Sequence, residues 1–388
     1  MNLRIIAFGV VLFATLLPSL IAAQWIADPA IDQKIQRGMD NIYNIEFDKA
    51  DSVFADIIRT KPDHPVGYFF RAMDQWWRIL TDFDNESRDQ KFNDMLDEII
   101  TMCERRLDEN PNDVTALFFK GGAVGFRGRL RANRSKWVGA ANDGLVALPI
   151  VRKAFDLDPQ NYDVLLGIGI YNYYAAVIPD RYPFVKPFMV FFPSGDRKKG
   201  LQQLQEAAEH AKYARVEANY FLLQNYFLYE KDFPKALIIA RELNRKYPQN
   251  PVFHRYLGRS YVSLGHLGEA NDVFLEIEKR FRKRQTGYDD YDGREAYYYL
   301  GKYEFLTGKI DRALLQFYTS DSLSRIVDKD GASGFMSLAN LLIGMIYDLQ
   351  NNRAGAVEQY RKVLDMKEFE NSQIDARKYL ERPYRKSP

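Results

Sequence analysis

One stretch of the chain, Pro251–Arg284, constrains the fold more than any other. It reads PVFHRYLGRSYVSLGHLGEANDVFLEIEKRFRKR, and its eighth and twentieth places hold small residues, Gly258 and Ala270. Large residues, Leu257 and Phe274, stand close to them in the sequence. Small residues at these places let two antiparallel helices approach closely, while the large residues fill the groove between the helices. Because one helix pair cannot bury its own apolar face, this stretch predicts neighbouring pairs.

The same spacing recurs along most of the chain, so the sequence predicts about eight helix pairs. The first copy begins at Ile31, and two good copies begin at Arg294 and Ser337. The units between Val66 and Tyr213 keep the helix pair but are longer and less regular. In the last three pairs, the turn between the helices falls on residues that tolerate a left-handed backbone, namely Gly265, Gly308 and Asn351.

A proline- and aromatic-rich insert, residues 178–195, interrupts the repeats. We predict that the preceding helix runs from Tyr162 to Val177, with Gly167 or Gly169 at the small place. The four prolines of the insert argue against helix there, and helix resumes after Asp196, a residue type that suits an N-cap. We expect the aromatic rings to pack back over the solenoid. The alternative is a hydrophobic finger that contacts a membrane or a partner.

Composition supports a folded solenoid and sets limits on the partner. The chain has 388 residues, of which 46% are hydrophobic and 14% aromatic, and this argues against disorder. A net charge of +2 is too small to predict a nucleic-acid partner. We predict irregular helix pairs over 24–213, regular repeats over 214–370 and a C-terminal cap over 371–388. No linker divides the chain into independent domains.

The N-terminus has the pattern of a targeting segment. Arg4 is the only charged residue before Asp28, and an apolar run at 5–20 precedes a cleavage site near Ala23. This pattern predicts a signal peptide over 1–23 and an exported mature chain, either periplasmic or secreted. The alternative is an uncleaved membrane anchor, although the run is shorter than the ~20 residues of a typical membrane span.

The sequence shows no arrangement of residues that is typical of an enzyme. The histidines stand apart, with no carboxylate or second histidine at ligand spacing on one helix: His64, His210, His254 and His266. Nucleophile-elbow, phosphate-loop and dinucleotide motifs are absent from the sequence. The single cysteine, Cys103, lies in an apolar-periodic run, so we expect it in the core. We therefore predict a non-enzyme with no catalytic residue, no metal and no cofactor.

The repeat copies resemble the tetratricopeptide repeat (TPR) family, most closely at Pro251–Arg284 and Ser337–Glu370. This resemblance implies an all-α, right-handed superhelical solenoid of antiparallel helix pairs, about eight in number and closed by a C-terminal capping helix. The segment Gly125–Leu130 resembles exported bacterial TPR proteins. The segment Phe191–Ala208 resembles the eukaryotic inclusion-body-clearance and TPR-39-type proteins, and this likeness brings no catalytic role.

The resemblance to TPR domains also implies a concave face lined by fixed places on the first helix of each pair. In three consecutive C-terminal copies, two of these places supply the candidate partner-binding residues: Phe221, Asn225, Arg255, Arg259, Tyr298 and Lys302. Basic side chains beside aromatic rings hold carboxylates through charge-assisted hydrogen bonds, so we expect an acidic, extended peptide. The alternative is a solvated face without a ligand.

A second candidate is the basic run, residues 125–137, which carries five basic side chains and no acid: Arg127, Arg129, Arg131, Arg134 and Lys136. One interpretation is contact with anionic lipid headgroups or another polyanion. The alternative, which we favour, is a helix end and loop whose arginines pair with the acidic stretch, residues 82–98.

Together these patterns predict a non-catalytic exported scaffold that binds a protein or peptide in its concave groove and serves envelope assembly or secretion. The alternative is a membrane-peripheral envelope protein that docks through the basic run and the aromatic insert. We predict no nucleic-acid partner, and the sequence leaves the oligomeric state open.

Overall fold

The computed structural model of the chain describes residue 26 and residues 28–186, 192–329 and 331–385. Over these residues the protein is an all-α helical repeat solenoid with seventeen α-helices and no strand. None of these helices is long and apolar enough to cross a membrane. The predicted signal peptide and the centre of the insert, residues 187–191, lie outside the described residues.

Eight antiparallel helix pairs follow one another along the chain. The first four are α1 (Pro29–Tyr43) with α2 (Phe47–Thr60), α3 (Pro65–Leu80) with α4 (Asp89–Glu109), α5 (Val114–Asn133) with α6 (Trp137–Leu157), and α7 (Tyr162–Arg181) with α8 (Arg197–His210). The next four are α9 (Arg215–Gln224) with α10 (Phe233–Lys246), α11 (Pro251–Ser263) with α12 (Leu267–Arg282), α13 (Asp290–Leu306) with α14 (Ile310–Val327), and α15 (Gly334–Leu349) with α16 (Arg353–Leu364). The last helix, α17 (Ser372–Glu381), packs on α15 and α16 and caps the array. The predicted fold class is confirmed.

Local sequence rules explain where the helices begin. Asp28, Asn250 and Ser333 each precede a helix, and each side chain accepts hydrogen bonds from N–H groups of the first turn. Pro251 occupies the first position of α11. A backbone N–H at this position would have no acceptor within the helix, so proline removes no helical hydrogen bond. Asp196 caps α8 in the same way, as predicted.

The turns inside the last three pairs have the predicted backbone conformation. The φ angles of Gly265, Gly308 and Asn351 are 75°, 81° and 59°. Each of these residues stands two positions after the last residue of the first helix of its pair, directly after the C-cap, so a left-handed residue reverses the chain there.

Close packing explains the small residues of the repeat. A Cβ atom at Gly258 would lie 2.8 Å from Cζ of Phe274, so α11 approaches α12 through the missing side chain. In the fourth pair, a Cβ at Gly169 would approach α8 to 3.1 Å, whereas one at Gly167 would approach α6 to 3.0 Å. Gly169 therefore holds the small place of its own pair, and Gly167 faces the preceding pair.

The prediction that the seventh helix ends at Val177 is wrong. Helix α7 continues to Arg181 and contains Pro179. A proline removes one backbone donor, but the N–H of Tyr182 still donates to the carbonyl of Ile178 at 2.8 Å, so the last turn closes after it. The insert therefore begins at Tyr182 and not at Ile178.

The described ends of the insert pack on the solenoid. The hydroxyl of Tyr171 donates to the carbonyl of Pro193 at 2.5 Å. A Cβ at Gly195 would lie 2.5 Å from the carbonyl oxygen of Asn172, so the backbone of the insert lies directly on α7. For these flanking residues, the packed arrangement that we expected is the one observed.

The first five pairs and α11 of the sixth share one hydrophobic core, which runs from Ile26 to Leu257. Its centre is Trp77 of α3, whose ring lies 5.4 Å from the ring of Tyr220 on α9 and 5.4 Å from that of Phe253 on α11. The predicted boundary between residues 213 and 214 falls inside this core, so it marks a change in repeat regularity within one packed body.

Polar contacts between α1 and the segment before α11 also hold the superhelical turn closed. The hydroxyl of Tyr247 donates to Asp40 on α1 at 2.7 Å. The side-chain amide of Asn250 donates to the backbone carbonyl of Tyr43 at 2.8 Å, across 207 residues of sequence. The inner side of the first turn is thus filled largely by the protein's own side chains.

Cys103 is fully buried, and burial raises the pKa of its thiol to about 12, which confirms its predicted place in the core.

Candidate binding site on the inner face

A cavity of about 220 Å³ remains where the inner side of the superhelix closes, between α3, α5, α9 and α11. Arg129, Arg255 and Arg259 line it, together with the aromatic rings of Phe83 and Tyr256 among others. None of the residues that line the cavity is acidic. The cavity therefore combines three guanidinium groups with apolar walls, a composition that favours an anion.

Stacking holds Arg129 in place. Its guanidinium lies 4.4 Å from the ring centre of Phe221 and 4.9 Å from that of Trp76. Its Nη1 is buried, and the nearest carboxylate oxygen, Oε2 of Glu217, is 3.9 Å away, which is too far for a hydrogen bond. Within the described part of the chain, Arg129 makes this ion pair and these ring contacts but donates no hydrogen bond.

The other two arginines differ in how they are paired. Nε and Nη2 of Arg259 donate to the two carboxylate oxygens of Glu295, a bidentate arrangement that fixes the side chain. Nε of Arg255 lies 3.3 Å from Oδ1 of Asp292, which is an ion pair without a good hydrogen bond. Among the described residues, Arg255 therefore keeps unused donors while Arg259 uses two of its own.

Two carboxyl groups behind the cavity, those of Asp292 and Glu217, are harder to ionise than usual. Burial raises the pKa of Asp292 to about 7, against the opposing effect of Arg255. Burial also raises the pKa of Glu217, again against a nearby guanidinium, that of Arg129. Arginine stays protonated under these conditions. Near neutral pH the positive charge of the cavity is therefore only partly balanced by its own carboxylates.

Three of the six predicted partner-binding residues lie in the core. Phe221 and Tyr298 are buried, and Asn225 is fully buried at the start of a π-helical turn, Asn225–Glu230, that extends α9. Both polar atoms of the Asn225 side chain lack a hydrogen-bond partner in the described part of the structure. These residues form the wall behind the inner face, and their surface is not presented to a ligand.

The three basic residues of the predicted set remain accessible. Arg255 and Arg259 are brought together in the cavity. Lys302 occupies the place on α13 that Arg259 occupies on α11, is partly exposed, and makes no ion pair with a described residue. The assignment of these residues to a partner stays a prediction, and the structure shows which side chains are in a position to make contact.

Sequence reasoning missed four residues of this site. Asp292 and Glu295 lie about one repeat after their partners Arg255 and Arg259. Alignment of the first helices of neighbouring pairs places these acidic residues opposite the arginines, and this signal could have identified them. Arg129 was assigned only to the basic run. No local signal indicates Glu217, because its hydrogen bond to Trp77 spans 140 residues.

The basic run does not form a free cationic patch. Arg127 and Arg134 pair with carboxylates of the acidic stretch at 2.7 Å, which confirms the favoured alternative for these two side chains. Arg131 pairs with Asp143 at 2.6 Å, and Arg129 lines the cavity. Four of the five basic groups are therefore engaged within the protein.

The described residues contain no group of three or more histidine, cysteine, aspartate or glutamate side chains that could hold a metal ion. Of the histidines, His254 is buried beside the hydroxyl of Tyr288 at 3.1 Å, and burial lowers its pKa to about 4. This histidine is therefore neutral at physiological pH and belongs to the packing between α11 and the loop before α13.

Comparison with solved structures supports a TPR-like solenoid. The chain is similar to a chain in the crystal structure of the APC/C hetero-tetramer Cut9–Hcn1, with a TM-score of 0.51 and 12% identity, over 90% of this chain and 55% of that chain. It thus spans about half the length of that protein. It is also similar to yeast Tom70 (TM-score 0.39, 10% identity, 88% and 86% of the two chains) and to a tetratricopeptide repeat protein from Parabacteroides merdae (0.31, 14%, 80% and 99%). No family model and no curated protein matches the sequence. At these identities the likeness concerns the fold alone.

Proposed function

We propose that this chain is a non-catalytic, exported scaffold that binds a protein or peptide along the inner face of α11 and α13. The observation that carries the proposal is the set of partly exposed basic groups on that face, Arg255, Arg259 and Lys302, of which Lys302 makes no ion pair with a described residue. Apart from the cavity, the inner faces of α1, α3 and α9 are closed by their own packing.

The chemistry of this face fits an acidic, extended segment. Guanidinium and ammonium groups recognise carboxylates through charge-assisted hydrogen bonds, and a solenoid offers an extended surface on which several such contacts align. The structural neighbour from the Cut9–Hcn1 hetero-tetramer supports a protein partner, since that protein is part of an assembly. The leader pattern at residues 1–23 supports export and a role in envelope assembly or secretion.

Site-specific photo-crosslinking tests this proposal directly. A photo-reactive residue at Lys302 in the full-length chain, produced in its native cell, should give a discrete adduct with one protein partner. The matched control is Lys367, an exposed lysine in the loop after α16 that makes no ion pair with a described residue. Identical adducts from both positions, or none from Lys302, would refute a binding role for this face.

Charge reversal gives a quantitative version of the same test. We expect Lys302→Glu to weaken binding of the captured partner by at least about fivefold, the equivalent of roughly 1 kcal/mol. Lys367→Glu changes the net charge equally and should leave the affinity unchanged. Equal effects of the two substitutions would show that only net charge matters.

Export is tested by cell fractionation and N-terminal sequencing of the natural protein. We expect the mature chain to begin at Gln24 and to appear outside the cytoplasm. A chain that retains Met1 and remains with the cytoplasm would contradict the exported role, whereas one that retains Met1 in the membrane fraction indicates an uncleaved anchor.

One observation favours membrane docking as a second candidate function. The first half of α6 exposes a stripe of apolar side chains, including Trp137, Val138 and Val146, next to Tyr182 at the start of the insert. In liposome flotation, the double substitution Trp137→Ser and Val138→Ser should reduce vesicle binding. Ile238→Ser, on the exposed face of α10, is the matched control. A protein that does not float with anionic vesicles excludes this candidate.

A further inference from the structure

We propose that the cavity between α3, α5, α9 and α11 binds a small multivalent oxyanion, of the phosphate, sulfate or di- and tricarboxylate class, that bridges Arg129 and Arg255. This inference goes beyond the scaffold proposed above. The site shares Arg255 with the face proposed above, but it requires neither Lys302 nor a macromolecular partner.

The first argument is charge. Three guanidinium groups line the cavity, and the side-chain amides of Asn133 and Gln224 are the other nitrogen donors among its residues. No carboxylate lines it, because Glu217, Asp292 and Glu295 all lie behind the arginines. A ligand in the cavity therefore meets donors and positive charge, which select an oxyanion and reject a cation.

The second argument is unsatisfied hydrogen bonding. Arg129 and Arg255 each carry five N–H donors, yet neither donates a hydrogen bond to a described residue. Both are mostly buried, with 20% and 23% of their side chains exposed. Nη1 of Arg129 is a buried donor without a partner, which is costly, and the donors of Arg255 are unpaired where they line the cavity. An oxyanion with several acceptor atoms would pair them.

The third argument is size. The cavity, about 220 Å³, exceeds the ~150 Å³ that admits a benzene molecule and falls below the ~300–1,000 Å³ of most pockets for drug-sized ligands. It thus suits a compact polyatomic ion or a small polycarboxylate. The ring of Phe83 beside the loop after α3 and that of Tyr256 on α11 give such a ligand partly dry walls, where charge-assisted hydrogen bonds are stronger than in water.

The position of the site gives the anion a structural role. Arg129 belongs to α5 in the third pair, and Arg255 belongs to α11 in the sixth pair. A bound oxyanion would neutralise both guanidinium groups and tie the two parts of the superhelical turn together. Because a ligand that binds only the folded state stabilises it, binding should raise the temperature of unfolding.

Thermal unfolding of the mature chain tests the proposal. Inorganic phosphate, sulfate and citrate are each compared with chloride at matched ionic strength, and calorimetric titration measures the affinity directly. We expect a saturable rise of a few degrees in Tm with at least one oxyanion. Tighter binding of phosphate or of citrate identifies the class that the cavity prefers. The absence of any rise beyond that with chloride overturns the proposal.

Substitutions then locate the site. Arg255→Gln and Arg129→Gln should each raise the Kd at least tenfold, whereas Arg361→Gln, on the exposed face of α16, should leave it unchanged. Should a glutamine variant fail to fold, Arg255→Lys keeps the charge and removes the planar fork, and the same tenfold weakening is expected. Equal binding by the Arg255 and Arg361 variants overturns the proposal, while the crosslinking test at Lys302 stands unaffected.

Discussion

At the scale of the residue, burial decides which charged groups remain available. Arg259 occupies a groove place yet is already held by Glu295, while Arg255 beside it has only a loose contact with Asp292. Two arginines one helical turn apart thus differ in their free donors. The position of an arginine in the repeat therefore predicts its ligand contacts less well than the carboxylate that the next helix pair places beside it.

Asp292 makes the stability of the protein depend on pH. Its pKa is raised to about 7 by burial, whereas an unfolded aspartate has a pKa of about 3.9. The folded state therefore holds the proton more tightly, and this contribution to stability is present below about pH 4 and lost as the pH rises through about 7. Between pH 5 and pH 8, we expect the Tm of the wild-type protein to fall more than that of Asp292→Asn.

Circular dichroism at a series of pH values checks this prediction. Asparagine keeps an oxygen that accepts the N–H of Asp289 in the cap of α13, so the helix start is preserved. Parallel curves of Tm against pH for the two proteins would show that Asp292 does not titrate in this range.

At the scale of the element, the small residue at each helix crossing sets how closely a pair packs. A methyl group at Gly258 would meet the ring of Phe274 at 2.8 Å, and one at Gly268, near the start of the partner helix, would meet no atom within 4 Å. The two glycines lie ten residues apart in the same pair. Substitution of each glycine therefore distinguishes the effect of close packing from the effect of backbone flexibility.

We predict opposite effects for alanine at these two positions. Gly258→Ala should lower the free energy of unfolding by about 1–3 kcal/mol, because the core around Phe274 is overpacked. Gly268→Ala should be neutral or should raise it by about 0.4–1 kcal/mol, because alanine restricts the unfolded chain. Chemical denaturation of both variants measures the difference, and a destabilisation common to both would argue against a packing role for Gly258.

The sequence predicted the elements far better than the site. The helix pairs, their left-handed turn residues and the cap of α8 follow from local rules, so Gly265 and Asp196 were identified correctly. The predicted end of α7 fell too early, because Pro179 lies so near the end of the helix that the last turn still closes. The contact of Arg129 with Glu217 depends on the pitch of the whole superhelix, which no local pattern reveals.

At the scale of the whole molecule, closure of the superhelix distinguishes this protein from an open solenoid. In an open repeat array each unit contacts only its neighbours. Here Trp77 of the second pair donates a hydrogen bond to Glu217 of the fifth pair at 2.8 Å and packs on Phe253 of the sixth. We therefore expect the first five pairs and α11 to unfold as one cooperative unit.

Trp77→Phe tests this cooperativity. The substitution removes the indole donor and leaves buried Glu217 without that partner, so we expect a loss of about 1–3 kcal/mol in the free energy of unfolding. Hydrogen exchange should show faster exchange in α1, α3, α9 and α11 together. The control is Tyr360→Phe, which removes a bond to Asp348 inside the last pair and should affect only α15–α17. Faster exchange confined to the second pair would contradict cooperative closure.

The distance in sequence between Trp77 and its partners also sets the order of events during synthesis. The ring of Trp77 cannot contact Phe253 until about 180 further residues have left the ribosome. Synthesis of these residues takes roughly 10–40 s at ~5–20 residues per second. Until then the nascent chain has no means of completing its core. If the chain is exported as proposed, this delay would keep it loose and threadable while the predicted leader engages the translocation machinery, and the contacts that close the superhelix would form on the far side of the membrane.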